Sequence, residues 1–427
     1  DDDLSRGLGD VYKRQFSDVV KETTNQTSFY GMGVDIADFN NDSYLDYIQV
    51  DMDAKDNRRS KANMASMNPD LFWSTVNYGF HYQYMHNTLQ LNRRIQGDKP
   101  FFSNISRLSG ISSTDWSWGP LLADLDNDGW KDLFISNGIR REINHRDFFN
   151  DIKLRPMSSD SLLYYTEQMP SEAIANFTFQ NNSDLTFTDV TESWGLDQKN
   201  FSNGATYADL DNDGDLELIV NNVDQEAQIY RNNSTNNFIK VKLKGSDQNL
   251  IGIDSRVFVK TPNNSQMQEL TLSRGFQSSV STYLNFGLGD ESIIESVKVV
   301  WPNGNSEQLN NVDINTTIEF DINNSNKETL SDEKLNVYFE NEQIVSHKHE
   351  ENIYDDYAKE VLLPHENSKL GPGIATGDIN GDGLDDFIVG GAKDQSTAFY
   401  FQNLNGSFSQ RSFYFSNSHS RYEDMDM

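Results

Sequence analysis

The chain has 427 residues, enough for two or three domains, and its 35 basic and 66 acidic side chains give a formal net charge of −31. This charge argues against a nucleic-acid partner, which requires basic surface to displace counterions from phosphate, and against docking on anionic lipid. Cysteine is absent, which excludes disulfides, thiolate nucleophiles and cysteine-ligated metal centres. No apolar run reaches the roughly 18–20 residues that cross a bilayer, so we expect no transmembrane segment in this chain.

The two ends of the sequence indicate a fragment. Residues 1–15 (DDDLSRGLGDVYKRQ) resemble read-through of a sequencing adapter, so we leave them out of the predicted fold. The last residues stop inside a pattern that is typical of a strand. We therefore expect a longer parent protein.

One pattern occurs four times, and each copy predicts a strand, an acidic loop and a second strand. The copies are GVDIADFNNDSYLDYIQV from Gly33, GPLLADLDNDGWKDLFIS from Gly119, GATYADLDNDGDLELIVN from Gly204 and GIATGDINGDGLDDFIVG from Gly373. In each copy the glycine lies five residues before the first aspartate of the loop. Each loop leads into a short run of β-branched and aromatic residues, which is too short for a helix and favours a strand.

The acidic loops carry the pattern of a calcium site. Oxygen-bearing side chains occupy positions 1, 3, 5 and 9, and glycine usually occupies position 6. Because alternate residues of a tight loop point inward, the first three converge, and the carbonyl of position 7 can complete the shell. Ca²⁺ prefers such oxygen-only ligation, so we predict three to four structural calcium ions. The predicted ligands are Asp38, Asn40, Asp42 and Asp46; Asp124, Asp126, Asp128, Trp130 and Asp132; Asp209, Asp211, Asp213, Asp215 and Glu217; and Asp378, Asn380, Asp382, Leu384 and Asp386.

Two other interpretations of the loops compete with calcium. An EF-hand requires a bidentate glutamate at position 12 and flanking helices, but position 12 holds Gln49, Ile135, Val220 and Val389. A metal-free acidic turn is a fair alternative for any single copy, whereas four copies with a fixed upstream glycine favour calcium. We expect the first site to be the weakest, because Ser43 stands where a positive φ favours glycine.

The repeat resembles the FG-GAP/VCBS family, the calcium-loop blades of integrin-α-type β-propellers. Further segments that look like the family's strands are Asn87–Asn92, Phe101–Ile111, Phe187–Leu196 and Ile229–Asn232. The resemblance implies propeller blades over residues 16–236, with insertions of helical character at 51–80 and 140–176. Repeated all-β units that cannot bury their own faces also indicate a propeller or a solenoid. We expect the arginines and lysines of the insertions to pair with the acidic body rather than to form an anion site: Arg58, Arg59, Lys61, Arg140, Arg141 and Arg146.

Residues 237–322 change character and predict a compact all-β domain without an acidic loop. The predicted strands are Phe238–Lys244, Arg256–Lys260, Leu270–Leu272, Tyr283–Phe286, Val297–Trp301 and Thr317–Phe320, with turns at Gly245, at Gly287 and Gly289, and at residues 302–304. The segment resembles an ASPIC/UnbV domain on four motifs in order: Gly252–Ile253 with Arg256–Val257, Arg274–Phe276 with Ser278–Ser279, Phe286–Gly289, and Val299–Gly304. We expect Arg256 and Arg274 to pair with nearby carboxylates rather than to bind a ligand. Residues 323–336 look like a polar linker, and residues 337–427 resemble the opening blade of a second propeller.

The fold class we predict is therefore all-β, with partial propeller blades, a central ASPIC/UnbV domain and the first blade of a second propeller. The function we predict is a non-catalytic extracellular module for protein or glycan binding or adhesion, with no catalytic residue. The alternative is a carbohydrate-active enzyme or accessory subunit that uses propeller-face carboxylates. Because cytosolic calcium would leave such loops mostly empty, we expect a secreted, periplasmic or outer-surface location in a bacterium.

Overall fold

The computed structural model describes residues 18–64, 68–96, 99–155, 159–327, 344–351, 353–359, 368, 371–392 and 395–413. Residues 1–15 and most of the predicted linker lie outside these ranges. The chain forms two compact units, residues 1–330 and 331–427. Both are built mainly from small antiparallel sheets, as predicted. None of the helices in the described part of the chain combines the length and the apolar character needed to span a bilayer.

The first repeat forms a four-stranded antiparallel sheet. The elements up to its end are α1 (Val20–Thr23), β1 (Thr27–Ser28), β2 (Val34–Ala37), β3 (Asp46–Gln49), α2 (Asn57–Ala62), α3 (Pro69–Asn77), β4 (Gln83–Tyr84), β5 (Thr88–Gln96) and β6 (Lys99–Asn104). The strands pair in the order β2–β3–β5–β6, so the acidic loop connects the first two strands of the sheet. Both helices α2 and α3 fall in the predicted insertion between β3 and β5.

The second and third repeats follow the same plan. Their elements are β7 (Ser117–Ala123), β8 (Asp132–Asn137), α4 (Arg146–Lys153), α5 (Ser159–Glu167), β9 (Ile174–Ala175), β10 (Phe177–Asn181), β11 (Phe187–Asp189), β12 (Lys199–Asn200), β13 (Ser202–Ala208), β14 (Glu217–Asn222) and β15 (Gln228–Tyr230). The sheets have the orders β7–β8–β10–β11 and β13–β14–β15. Helices α4 and α5 confirm the helical character predicted for residues 140–176.

Consecutive repeat sheets pack on one another through shared apolar cores. Ile48 and Leu89 of the first sheet lie in one buried cluster with Leu133 and Phe179 of the second. Another buried cluster joins the second sheet to the third. The first strands β2, β7 and β13 therefore lie side by side, which fits repeats that cannot bury their own faces.

The segment after the repeats has its own core. Its elements are β16 (Asn237–Lys244), β17 (Arg256–Lys260), β18 (Ser265–Glu269), β19 (Ser273–Arg274), β20 (Ser278–Ser279), β21 (Leu284–Gly289), β22 (Ile294–Val300), β23 (Asn305–Val312), β24 (Thr316–Asp321), a 3₁₀ turn (Ile322–Asn324) and β25 (Asn326–Lys327). One sheet has the order β21–β16–β24 and the other β18–β17–β22–β23–β25. Their inward faces bury Val241, Phe286, Trp301 and Phe320 in one cluster.

Three expectations about this segment are wrong. Leu270–Leu272 is not a strand, because the chain turns there out of β18 toward the hairpin β19–β20. Gly287 and Gly289 lie within β21 rather than in a turn. Residues 323–327 are not linker, because Asn326 and Lys327 pair with β23; a polar strand at a sheet edge is indistinguishable from a linker by composition.

A short hairpin of this segment, residues 273–279, docks on the first strands of all three repeats. We call it the docking hairpin. The Val34 N–H lies 3.3 Å from the Gly275 carbonyl oxygen, and the Thr206 hydroxyl donates to the Ser279 carbonyl at 2.6 Å. The buried Arg274 guanidinium forms an ion pair with the buried Asp35 at 3.0 Å. This pairing agrees with the expectation that Arg274 binds a nearby carboxylate.

The fixed glycine upstream of each of the first three loops faces this hairpin. A Cβ on Gly33 would lie 2.9 Å from the Gly275 carbonyl oxygen and 2.2 Å from that of Trp118, and a Cβ on Gly119 would lie 3.2 Å from the Phe276 nitrogen. A Cβ on Gly204 would meet the Ser278 hydroxyl at 2.8 Å. In the first three repeats, glycine therefore fits a position where the hairpin and, at Gly33, the neighbouring strand β7 leave little room for a side chain.

Arg58, Arg59 and Arg140 of the insertions pair with carboxylates, as predicted. Arg141 and Arg146 instead donate to backbone carbonyl groups, those of Met169 and Met64. The buried Arg59 guanidinium contacts Asp115 at 2.6 Å, and Glu142 and Glu172 each at 2.9 Å. Since Arg59 lies on α2 and Glu142 and Glu172 lie in the second insertion, this network ties the two insertions together. Arg256 likewise pairs with Glu269 at 2.7 Å.

The second unit holds the fourth repeat. Its described elements are a 3₁₀ turn (Asp356–Ala358) and the strands β26 (Ile374–Gly377), β27 (Asp386–Val389), β28 (Thr397–Gln402) and β29 (Phe408–Phe413). The strands form one antiparallel sheet in chain order. Val389, Ala398 and Tyr400 form its buried cluster. The fourth repeat thus repeats the strand order of the first.

Replacing Gly33 by alanine should destabilise the first unit by about 2 kcal/mol or more, because the new methyl group meets two backbone oxygens that cannot move independently. Gly204→Ala is the matched control. Its nearest neighbour is a serine hydroxyl that can rotate away, so we expect a smaller loss. Urea unfolding of both variants measures the difference, and an equal or reversed order would contradict the docking-hairpin explanation.

Candidate metal-binding loops

The acidic loops of the first three repeats lie next to one another in the first unit. We call residues 38–46, 124–132, 209–217 and 378–386 loops 1 to 4. Asn41 donates to the Gly129 carbonyl of loop 2 at 2.9 Å, and Asn127 donates to the Gly214 carbonyl of loop 3 at 3.0 Å. Each asparagine is at position 4 of its loop, so the side chain at position 4 of one loop donates a hydrogen bond to the carbonyl group at position 6 of the next.

Residues of β21 and the β17–β18 turn cover loops 1 to 3. The Gly287 N–H donates to Asp124 at 3.2 Å, and Asn285 donates to the Gly214 carbonyl at 3.0 Å. Asn264 lies within 3.3 Å of the Gly129 carbonyl oxygen. The loops are therefore part of the surface on which the segment after the repeats is mounted.

All four loops share one backbone path. The φ angle is positive at position 4 (Asn41, Asn127, Asn212 and Gly381) and at position 6 (Ser43, Gly129, Gly214 and Gly383). Ser43 adopts a φ of +68°, so the first loop keeps the shared conformation without glycine. The recurrent asparagine at position 4 is a signal that the sequence analysis missed: asparagine tolerates left-handed backbone better than most residues.

Two aspartates shape each loop. The carboxylate at position 1 accepts backbone N–H groups from within its own loop; Asp124 accepts from Asp128 at 3.0 Å and from Gly129 at 2.9 Å. The carboxylate at position 5 accepts the N–H of position 7, as Asp128 does from Trp130 at 2.8 Å. These Asx-type turns direct the carboxylates inward.

The structure brings several of the predicted ligands together. In loop 2, one oxygen from each of Asp124, Asp126 and Asp128 lies within 4.8 Å of the others. In loop 3, the same holds for Asp209, Asp211 and Glu217. Loops 1 and 4 carry asparagine at position 3, and there the amides of Asn40 and Asn380 donate to the position 5 carboxylates at 3.2 and 2.9 Å.

Four buried acceptor atoms in these loops have no hydrogen-bond partner among the residues that the structure describes. They are Asn40 Oδ1, Asp46 Oδ2, Asp209 Oδ1 and Asp215 Oδ1. A buried acceptor without a partner costs roughly 1–3 kcal/mol, and more when it is charged. An oxygen-binding cation fits all four atoms, because each is an acceptor.

Burial raises the pKa of several loop carboxylates above the usual range for aspartate. The raised pKa values are about 6 for Asp38 and Asp128, about 7 for Asp124 and Asp215, and about 8 for Asp46. Neighbouring carboxylates raise these pKa values further. In the exposed loop 4, by contrast, backbone hydrogen bonds, with that of Gly383 the strongest, lower the pKa of Asp378.

Position 9 has a structural role that the sequence analysis did not identify. Its carboxylate links position 2 of the loop to the strand that follows: Asp132 accepts from Leu125 and from Asn181, both at 3.0 Å. The other loops make the corresponding bonds from Asn92 to Asp46, from Leu210 and Asn232 to Glu217, and from Ile379 and Gln402 to Asp386. The carboxylate at position 9 therefore anchors each loop to its sheet.

Cationic side chains reach the loops from distant parts of the sequence. Lys240 of β16 contacts Asp209 at 2.5 Å, and Arg231 contacts Asp211 at 3.1 Å. Lys131, at position 8 of loop 2, is buried. Burial lowers the pKa of Lys131, and the charges of Asp124 and Asp38 raise it. Loop 3 is thus partly neutralised by protein cations.

The carbonyl groups at position 7 belong to Tyr44, Trp130, Asp215 and Leu384. The N–H groups of these residues donate to the position 5 carboxylates. Ligation through their carbonyl oxygens stays a prediction.

Comparison with known proteins identifies one part of the chain. A family model described as "ASPIC and UnbV" matches residues 245–327. A search of curated proteins found no match. The family match agrees with the four motifs predicted for this segment and covers the docking hairpin and β21, which contacts loops 2 and 3. Residues 245–327 are therefore an ASPIC/UnbV domain, mounted within the first unit on the sheets of three acidic-loop repeats.

Proposed function

We propose that this chain is a non-catalytic, extracytoplasmic binding module in which structural Ca²⁺ fills the acidic loops. The observation that carries the proposal is the convergence of three carboxylates in loop 2 and three in loop 3, together with the unpartnered buried oxygens of the loops. Hard oxygen donors of this number and charge match Ca²⁺, whereas Mg²⁺ keeps more of its water.

Charge balance supports a divalent cation. Loop 2 places Asp124, Asp126 and Asp128 close together, and the one cation within the loop is Lys131. Buried carboxylates at this separation destabilise one another when they are ionised. A bound Ca²⁺ supplies the missing positive charge and makes the ionised form favourable.

The loop neighbourhoods suggest an order of affinity. Loop 2 has three aspartates at positions 1, 3 and 5 and no cation paired with them among the described residues. In loop 3, Lys240 and Arg231 already compete for Asp209 and Asp211. In loop 1, an asparagine replaces one carboxylate and Ser43 replaces glycine. We therefore propose that loop 2 binds calcium most tightly.

We also propose that the repeats are FG-GAP/VCBS blades of a propeller. Support comes from the shared strand order of repeats 1, 2 and 4 and from the adjacent first strands β2, β7 and β13. In this arrangement calcium stabilises the loops that carry the ASPIC/UnbV domain. Its role is therefore structural.

Chelator should lower the free energy of unfolding of the first unit. At a free calcium concentration ten times the Kd, one site contributes about 1.4 kcal/mol to the free energy of unfolding. The contributions of loops 1 to 3 add. Asp126→Asn should remove most of the stabilisation that calcium in loop 2 provides. Asp247→Asn, at an exposed aspartate of the ASPIC/UnbV domain, is the matched control. Calcium stoichiometry and thermal melts of the full chain, with and without chelator, test this.

We expect three or four calcium ions per chain. Chelator should lower the melting temperature of the wild type, and it should lower that of Asp126→Asn by a smaller amount. A chain that binds no calcium, with the same melt in chelator, would contradict the proposal. The carboxylates would then be free for other chemistry.

Ser43→Gly should strengthen calcium binding at loop 1. Serine at a φ of +68° is less favourable than glycine by about 1 kcal/mol, so the substitution stabilises the loop conformation that binds. Calcium titration of Ser43→Gly against the wild type measures the gain. Unchanged calcium affinities and an unchanged melting temperature would show that the φ of Ser43 does not limit calcium binding at loop 1.

An exposed aromatic surface in the first insertion supports a binding role. The side chains of Trp73, Tyr78, Phe80 and Tyr82 are all exposed, and Tyr78 is 86 % exposed. Large exposed aromatic side chains concentrated in one short segment favour an interaction site, where tryptophan and tyrosine dominate the binding energy. We propose that this surface contacts the protein or glycan ligand.

Tyr78→Ala should weaken ligand binding by about 2 kcal/mol, roughly thirtyfold, without changing the melt. Leu108→Ala, at an exposed leucine outside this surface, is the control. Glycan arrays and arrays of extracellular proteins, probed with wild type and both variants, distinguish the two ligand classes. Equal binding by wild type and Tyr78→Ala would place the ligand elsewhere.

A further inference from the structure

A cavity of about 190 Å³ lies in the first unit beside loops 1 to 3. Its wall combines residues of β2 and β7 with the ASPIC/UnbV segment 267–285. Apolar cavities of about 150 Å³ admit a molecule the size of benzene. The cavity is therefore large enough for a small organic ligand.

One cationic side chain on its wall lacks a partner among the described residues, and a second, Arg274, is paired with Asp35 through Nη1 but keeps one unpartnered donor. Lys131 lines the cavity and is only 5 % exposed, and its ammonium group has no hydrogen-bond or ion-pair partner among the described residues. Arg274 also lines the cavity, and its Nε is buried without an acceptor in the described part of the chain. Burial is the main cause that lowers the pKa of Lys131, and the positive charge of Arg274 lowers it further.

The other charges on the wall are already paired. Lys240 contacts Asp209 at 2.5 Å, and Glu269 contacts Arg256 at 2.7 Å. The Asp38 and Asp124 carboxylates accept backbone N–H groups of their own loops. Asp209 Oδ1 is an unpartnered acceptor, which the proposed calcium in loop 3 would satisfy.

Apolar and aromatic side chains complete the wall. They include Tyr207, Leu216, Met267 and Leu270. Such a lining favours an organic body over a bare inorganic ion, because apolar surface gains from contact with carbon. The unpartnered donors, by contrast, need an anionic group.

We propose that this cavity binds a small organic carboxylate, with its carboxylate held by Lys131 and the Nε of Arg274 and its body against Tyr207 and Met267. The inference rests on the proposed function in one respect. Calcium in loops 1 and 2 neutralises Asp38 and Asp124, which otherwise attract the Lys131 ammonium and repel an anion.

Benzoate is the probe, and benzamide, its neutral counterpart of the same shape, is the matched control. Calorimetry and saturation-transfer NMR are carried out on the calcium-loaded full chain, after calcium stoichiometry has been measured on the same sample. Sulfate is titrated in parallel as an inorganic oxyanion. Lys131→Met and Arg274→Lys remove the two donors, and Lys260→Met, at an exposed lysine paired with Glu295, is the control variant.

We expect benzoate to bind more tightly than benzamide and sulfate. Lys131→Met should weaken benzoate binding about tenfold or more, the loss of one charge-assisted hydrogen bond, while Lys260→Met leaves it unchanged. The comparison of benzoate with benzamide on the wild type remains decisive if Lys131→Met does not fold.

Calcium binding without benzoate binding would overturn this inference and leave the proposed function intact. Equal binding of benzoate and benzamide would also overturn it, as would undiminished benzoate binding by a folded Lys131→Met. Tighter binding of sulfate than of benzoate would contradict the proposal that the ligand is organic. Benzoate binding by a chain that binds no calcium would overturn the proposed function and the part assigned to calcium here, and would leave the carboxylate site itself supported.

Discussion

The crowding of acidic side chains in short buried loops is the constraint on which the first unit depends. Loops 1 to 3 contact one another through Asn41 and Asn127 and carry the ASPIC/UnbV domain. Their carboxylates are held in place by backbone N–H groups, but hydrogen bonds do not cancel the repulsion among them. A bound cation would do so, and it would couple the fold of each loop to the mounting of the domain above it.

The docking hairpin explains why two separate sequence patterns occur in one chain. The repeats have a glycine before each loop, and the ASPIC/UnbV segment has the run Arg274–Phe276. In the first unit these patterns meet, since the hairpin backbone lies against Gly33, Gly119 and Gly204. The glycines therefore reflect close contact between segments. In the second unit, the described fourth repeat has the same strand order and an exposed loop.

Local pattern was enough to predict much of the structure. The strands on both sides of each loop, the helical insertions and the pairing of Arg59 and Arg256 with carboxylates follow from residue type and short spacing. The contacts that depend on distant segments were not predictable in this way. Lys240 reaches Asp209 across 31 positions, and the position 9 carboxylate accepts from the next strand. The asparagine at position 4 was visible in the sequence, but its partner lies in another repeat.

The most direct test of the account is the location of calcium in crystals of the full chain grown with the ion. Anomalous scattering measured at a wavelength where calcium contributes distinguishes it from water and from Mg²⁺. The account predicts an anomalous peak in loop 2, among Asp124, Asp126 and Asp128, with further peaks in the other loops. Well-ordered loops without an anomalous peak, from crystals grown in excess calcium, would contradict it.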